Sequence, residues 1–188
     1  MVLAVNALAS PFEARAPKSL SACPERTASG RLGVTALGFE SGHLPRGATP
    51  FDEHLPGVGS LDPQLLAALQ AAARDAAVSG VRIEVNSGWR SHDHQARLLC
   101  QAVLEYGSWD EAARWVASPD TSLHVSGLAV DVGPPGAADW LASHGAEYGM
   151  CRVYSNEPWH FELRDTRERD GCPQIYRDPS HDPRLQTR

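Results

Sequence analysis

An α+β fold is predicted for this chain. Three observations predict it: a Leu- and Ala-rich helical repeat over 65–76, an alternating strand at 81–86, and a second half in which strand patterns dominate over helices. In 188 residues, 42% of them hydrophobic, one domain with a real core is expected. Its bounds are read as 31–175, between an Ala-, Ser- and Pro-rich tail over 1–30 and a C-terminal tail over 176–188.

Each element has a local reason. Residues 31–60 carry several Gly and Pro residues and read as an irregular surface lead-in. Asp62 and Pro63 then open a helix whose apolar face is Leu65, Leu66, Leu69, Ala72, Ala73 and Ala76, with Gly80 as its left-handed stop. Val81, Ile83 and Val85 alternate with Arg82, Glu84 and Asn86, so one side of that strand is buried. A second helix is expected over His92–Tyr106, ending at Gly107, and a third from Ser108, whose spacing to Glu111 fits a capping box. Beyond it come a strand at 128–132, a short helix at 137–144 ending at Gly145, and strands at 151–154 and 159–163.

Composition excludes several classes. The net charge is -6, and a nucleic-acid binder would need a basic stripe to displace counterions, so no nucleic-acid partner is expected. No stretch approaches the ~20 apolar residues of a membrane helix, so no transmembrane segment is expected either. The first nine residues, MVLAVNALA, lack a basic start and are interrupted by Asn6; they read as a chain end rather than an export signal. Cys23, Cys100, Cys151 and Cys172 form no close pair of the kind that builds thiolate metal sites. Two disulfides in an exported protein are expected, with three pairings open.

Chemistry concentrates in two segments, SLHVSGLAVDVG at 122–133 and NEPWHFEL at 156–163. His124, Asp131 and His160 offer two imidazoles and a carboxylate, donors suited to one zinc ion with a fourth position left open. Strand parity puts Asp131 on the face opposite Val130 and Val132, and Gly127 permits a tight turn between His124 and the strand. Glu157, three residues before His160, is placed to act as a base, with Glu162 as its rival by strand parity. Pro158 between Glu157 and His160 argues against a helical arrangement of that pair. His92 and His94 are expected to face solvent, and His144 to sit structurally at a helix C-terminus.

These segments resemble the VanY-like zinc D-Ala-D-Ala carboxypeptidases: SLHVSGLAVD matches their SxHxxGxAxD signature, EPWH their ExWH, and NSGWRS at 86–91 with Gln95 their SGYRSxxxQ. The resemblance covers about 60–165 and departs at Trp89, where the family has tyrosine. It implies a fold of the Hedgehog/DD-peptidase type, in which a small antiparallel sheet carries the zinc site and packs against helices. It implies one zinc ion on His124, Asp131 and His160, with Glu157 as general base and Arg90 polarising the scissile carbonyl or holding substrate. Arg90, Gln95, Ser122 and Trp159 are the expected substrate-binding residues; Trp159 is read as either a cleft wall or core packing, and Ser122 and Gln95 have loop-stabilising hydrogen bonds as their alternative role.

The implied activity is a D,D-carboxypeptidase acting on peptidoglycan stem peptides, secreted or in the cell envelope and monomeric. Alternatives on the same site are an L-alanyl-D-glutamate endopeptidase, a D-Ala-D-Ala dipeptidase, or a zinc-containing binding module without catalysis, as in Hedgehog signalling domains. A bridge between Cys151 and Cys172 would tie the C-terminal segment to the active-site strand and leave Cys23 with Cys100.

Overall fold

In the computed structural model, residues 38–164 and 171–186, together with Cys23, are described. The tail read over 1–30 therefore lies, Cys23 apart, outside the described residues. The elements run α1 (Pro56–Gly59), α2 (Pro63–Val78), β1 (Glu84–Ser87), α3 (His92–Tyr106), α4 (Trp109–Ala112), β2 (Ala129–Gly133), α5 (Pro135–His144), β3 (Met150–Arg152) and β4 (His160–Leu163). The four strands form one antiparallel sheet in the order β1-β2-β4-β3.

The helix signals act as their chemistry requires. The Asp62 carboxylate accepts from the backbone N–H groups of Gln64 and Leu65, and Pro63 fills the first helical position. Ser91 caps α3 through His94, and Gly107 closes it in the left-handed region. Ser108 caps α4 through the backbone N–H of Glu111, and α4 is a single turn; the Glu111 carboxylate turns to Arg114, so only the Ser108 half of the capping box is seen.

One core joins sheet and helices. Val130 and Val132 of β2 and Phe161 of β4 are fully buried against Leu65, Leu69, Ala72 and Ala76 of α2 and Leu141 of α5. Burial of each large aliphatic or aromatic side chain contributes roughly 1.5–3 kcal/mol. The other face of β2 and β4 is thereby left to Asp131, His160 and Glu162.

Two expectations need correction. The strand expected from Val81 begins only at Glu84, because the Val81 N–H is drawn to the Ala76 carbonyl as the close of α2. The lead-in expected at the surface is partly core: Leu44, Ala48 and Val58 are buried. Its backbone covers the free edge of β1 through Val85 N–H to Ala48 O at 2.8 Å, and Trp89 N–H bonds Gly57 O at 2.9 Å.

Both bridges of the favoured pairing form, Cys23–Cys100 and Cys151–Cys172. Residues 176–186, outside the domain as bounded from the sequence, lie against it. Tyr176 bridges Tyr154 in parallel, and Ser155 N–H and Tyr176 N–H bond Tyr176 O and Val153 O. Among the described residues no helix is long and apolar enough to cross a membrane.

Candidate metal centre

The antiparallel pairing of β2 and β4 sets Asp131 directly opposite His160. Residues directly opposite on one sheet face hold their side chains within reach. His124 is brought in by the loop before β2, which turns at Gly127 with φ +72°. A Cβ there would stand 2.6 Å from Ser60 O, and Gly127 O accepts from Asp62 N–H, so this turn seats the loop against the start of α2.

Three donor atoms converge. His124 Nε2 lies 3.3 Å from His160 Nδ1 and 3.3 Å from Asp131 Oδ1, and His160 Nδ1 is 3.2 Å from Asp131 Oδ1. Zinc bonds N and O ligands at about 2.0–2.1 Å, and tetrahedral ligands at that radius stand about 3.3 Å apart. The triangle has the size that a common tetrahedral ion requires. All three residues are buried.

The tautomers also suit a cation. His124 Nδ1 is 2.8 Å from Gly88 O, an atom that only accepts, so the proton sits there and Nε2 presents its lone pair. His160 Nε2 points to Glu162 Oε1 at 3.3 Å, which leaves Nδ1 for the centre. Burial opposes charging His160, but hydrogen bonds accepted by Asp131 and Glu162 outweigh it and raise its pKa to about 10, the mark of surroundings rich in negative charge. Burial likewise opposes ionisation of Asp131, yet His124 and Arg90 hold it well below the usual carboxylate range. For His124, burial and then Arg90 lower the pKa and favour the neutral, ligating form.

Glu157 is 7% exposed; its Oε2 is 3.9 Å from His160 Nδ1 and its Oε1 is buried with no hydrogen-bond partner. Burial is the main cause that pushes its carboxyl up to about 7. Glu162, the rival for the base position, is differently placed. Burial alone would raise it, but His160 and Arg184 bring it down to about 2, and Arg184 grips both of its oxygens.

The expected substrate residues divide. Arg90 donates through Nη2 to Asp131 Oδ2 at 2.5 Å, through Nη1 to Gln95 Oε1 and through Nε to Ser87 Oγ. Gln95 is buried and uses both ends of its amide, the other on Ala117 O, so it braces Arg90 and the 117–122 loop instead of facing a cleft. Ser122 is buried too, its N–H bonded to Ser118 O. Trp159 is 40% exposed beside the centre in sequence.

His92 is solvent-facing as expected, but His94 is not: its Nδ1 lies 3.0 Å from Ser41 O because the lead-in packs over α3. His144 stacks on Trp140 and reaches its carbonyl, a structural position. Sequence reasoning missed Asp182 and Arg184, whose partners Tyr154 and Glu162 lie 28 and 22 positions away with no local pattern to mark them. Ser87 stands inside the NSGWRS segment, three residues before its partner Arg90, and that spacing was the signal for it.

Comparison with known proteins follows the same lines. The sequence profile described as VanY, D-alanyl-D-alanine carboxypeptidase, matches residues 59–165. A D-alanyl-D-alanine carboxypeptidase of Enterococcus faecalis (strain ATCC 700802 / V583) is 31% identical over 58% of this chain and 50% of its own length, so the chain spans about half of that relative. The solved structure of VanYB in complex with D-Alanine-D-Alanine superposes with a TM-score of 0.54 at 30% identity, over 57% of this chain and 74% of that one. A mutant of the vancomycin resistance D,D-pentapeptidase VanY from a VanB-type resistance cassette, in complex with Zn(II), gives 0.52 at 29%, over 55% and 72%. The expected sheet-and-helix architecture is the one these structures share. The matched stretch holds all three donors, Glu157 and Arg90, and with more than half of its length inside the profile this chain belongs to the VanY D-alanyl-D-alanine carboxypeptidase family.

Proposed function

We propose that this chain is a zinc D,D-carboxypeptidase that removes the terminal D-alanine from peptidoglycan stem peptides, outside the cytoplasm. The observation that carries the reading is the triangle of His124 Nε2, Asp131 Oδ1 and His160 Nδ1, each about 3.3 Å from the next, with the Glu157 carboxylate buried beside it. The relatives named for this activity, one in complex with Zn(II) and one with D-Alanine-D-Alanine, support the choice of metal and substrate class. Two disulfides support an oxidising location.

When bound, zinc supplies Lewis-acid polarisation of a peptide carbonyl and makes a water acidic enough to react near neutral pH. The rest of the work falls to the protein. Glu157 takes a proton from the attacking water and delivers it to the amine nitrogen as the C–N bond breaks, so water is consumed and free D-alanine leaves. The orphan Oε1 is the acceptor such a transfer needs. Arg90 holds Asp131 in place, and three of its five N–H groups serve the contacts with Asp131, Gln95 and Ser87; the remainder are donors for a substrate oxygen. Trp159, exposed and adjacent to His160 in the chain, is the aromatic surface we assign to the substrate peptide.

The test is mass analysis of the products from a muramyl pentapeptide, with and without a chelator. Loss of one alanine, blocked by the chelator and restored by zinc, supports the reading. Release of the intact D-Ala-D-Ala dipeptide would assign the bond cut by a dipeptidase, and cleavage after L-alanine that of an endopeptidase. No chelator-sensitive cleavage of any wall peptide would leave a binding module.

A further inference from the structure

Glu162 is fully buried next to the metal centre and receives two cationic partners of unequal quality. Arg184 donates from Nη1 to Oε2 at 2.6 Å and from Nη2 to Oε1 at 3.2 Å, a bidentate fork. Arg164 makes a single contact at 3.7 Å. Oε1 of the same carboxylate accepts from His160 Nε2. Arg184 thus stands two contacts from the donor atom His160 Nδ1.

Arg184 is itself held. Asp182, completely buried, accepts from its Nε at 2.9 Å and its Nη2 at 2.5 Å, caps its backbone N–H, and receives the Tyr154 hydroxyl at 3.0 Å. The Tyr154 ring lies 4.9 Å from the His160 ring. The C-terminal segment therefore reaches His160 from two sides, through Glu162 and through Tyr154. The Cys151–Cys172 bridge and the Tyr154–Tyr176 pairing keep that segment against the sheet.

We propose that Arg184 is a positioning residue for the metal centre: through Glu162 it fixes the tautomer and ring orientation of His160, so that the segment beyond the family-matched stretch completes the site. This rests on the zinc reading above. A carboxylate that accepts from the second nitrogen of a ligating histidine fixes which nitrogen keeps its lone pair, and losing such partners weakens metal binding by ~10–100-fold. Arg184, by gripping both oxygens, holds that carboxylate fixed in the orientation in which Oε1 accepts from His160. A lysine would keep the charge and lose the fork.

The experiment titrates zinc alone into metal-free full-length protein against a chromophoric chelator. It compares the unmodified chain with Arg184→Met, Arg184→Lys, Glu162→Gln, the double variant Arg184→Met/Glu162→Gln, and Arg164→Met. Far-UV circular dichroism confirms folding, and the cobalt-loaded forms are read by their visible absorption. Expected are a ~10–100-fold loss of zinc affinity for Arg184→Met, a smaller loss for Arg184→Lys, a double variant no weaker than the weaker single, and Arg164→Met within about threefold of the unmodified chain. The cobalt spectrum should change in the Arg184 variants, which loss of general stability alone would not produce. Should Arg184→Met fail to fold, Arg184→Lys and Glu162→Gln, which keep a cation or an acceptor in place, carry the same test. Tight zinc binding by the unmodified chain together with equal binding and an unchanged spectrum in the Arg184 variants would overturn the clamp alone. An unmodified chain that takes up no zinc would overturn the functional reading beneath it.

Discussion

Arg90 Nη2 lies 2.5 Å from Asp131 Oδ2, while the other oxygen of the same carboxylate, Oδ1, is shared by His124 and His160. Asp131 is buried and Arg90 largely so, and the contact is a charge-assisted hydrogen bond partly shielded from water. It aims Oδ1 at the histidines. Arg90→Ala is expected to weaken zinc binding by ~10–100-fold, and Arg90→Lys by less, since the charge survives without the fork. Competition titration with a chelator measures the affinity, and kinetics at saturating zinc measure any further loss from a missing substrate donor. Unchanged affinity in Arg90→Ala would leave the residue a substrate role only.

Glu157→Gln keeps the shape of the side chain and removes its capacity to accept a proton. Zinc affinity is expected to stay within a few-fold, while kcat falls by ~10²–10⁴. Steady-state release of D-alanine from a pentapeptide checks this. Turnover equal to that of the unmodified chain would remove Glu157 from the proposed mechanism.

Gly127 and Gly80 share a positive φ, at +72° and +74°, but differ in what surrounds them. A Cβ at Gly80 meets nothing within 4 Å, whereas one at Gly127 meets Ser60 O at 2.6 Å. Gly80→Ala is expected to cost about 1–2 kcal/mol from backbone strain alone. Gly127→Ala should cost more than that in urea unfolding and should also lower zinc affinity, because the His124 loop must shift. Equal costs at the two positions would mean that the loop yields freely.

Asp178 ties the C-terminal segment to the turn after α4 and to its own turn, through His181 at 2.7 Å, Ser180 at 2.5 Å and Arg114 at 3.4 Å. Burial would raise its carboxyl, but the bonds from His181 and Ser180 outweigh that and hold it below the ordinary value of 3.8. A carboxyl lowered in the folded state stabilises the fold above the unfolded value and loses that contribution as pH falls below it. Thermal melting should therefore show the unmodified chain more stable than Asp178→Asn at pH 7. The gap should close as pH drops below about 4. A constant gap down to pH 2 would contradict the assignment.

What was legible in the residues was whatever a short window contains. Asp62, Pro63 and Gly80 mark α2 because caps act within one turn, and Ser91 and Gly107 bound α3 in the same way. The three metal donors were legible because two short segments carry them and strand parity turns Asp131 away from Val130 and Val132. The lead-in was misjudged because its burial comes from pairing with β1, a contact that no local periodicity reports. The partnership of Arg90 with Asp131 spans 41 positions and that of Arg184 with Glu162 spans 22, and both exist only once the sheet has formed. Strand parity places Glu162 on the site face, but its role depends on Arg184, which grips both of its oxygens from 22 positions away.

The most direct test of the account is the zinc content of the purified full chain after chelation and reloading, beside His124→Ala, Asp131→Ala and His160→Ala. One zinc per chain is expected in the unmodified protein, with binding weakened by orders of magnitude in each variant and D-alanine release lost in parallel. Full zinc occupancy in any one of the three, at unchanged affinity, would contradict it.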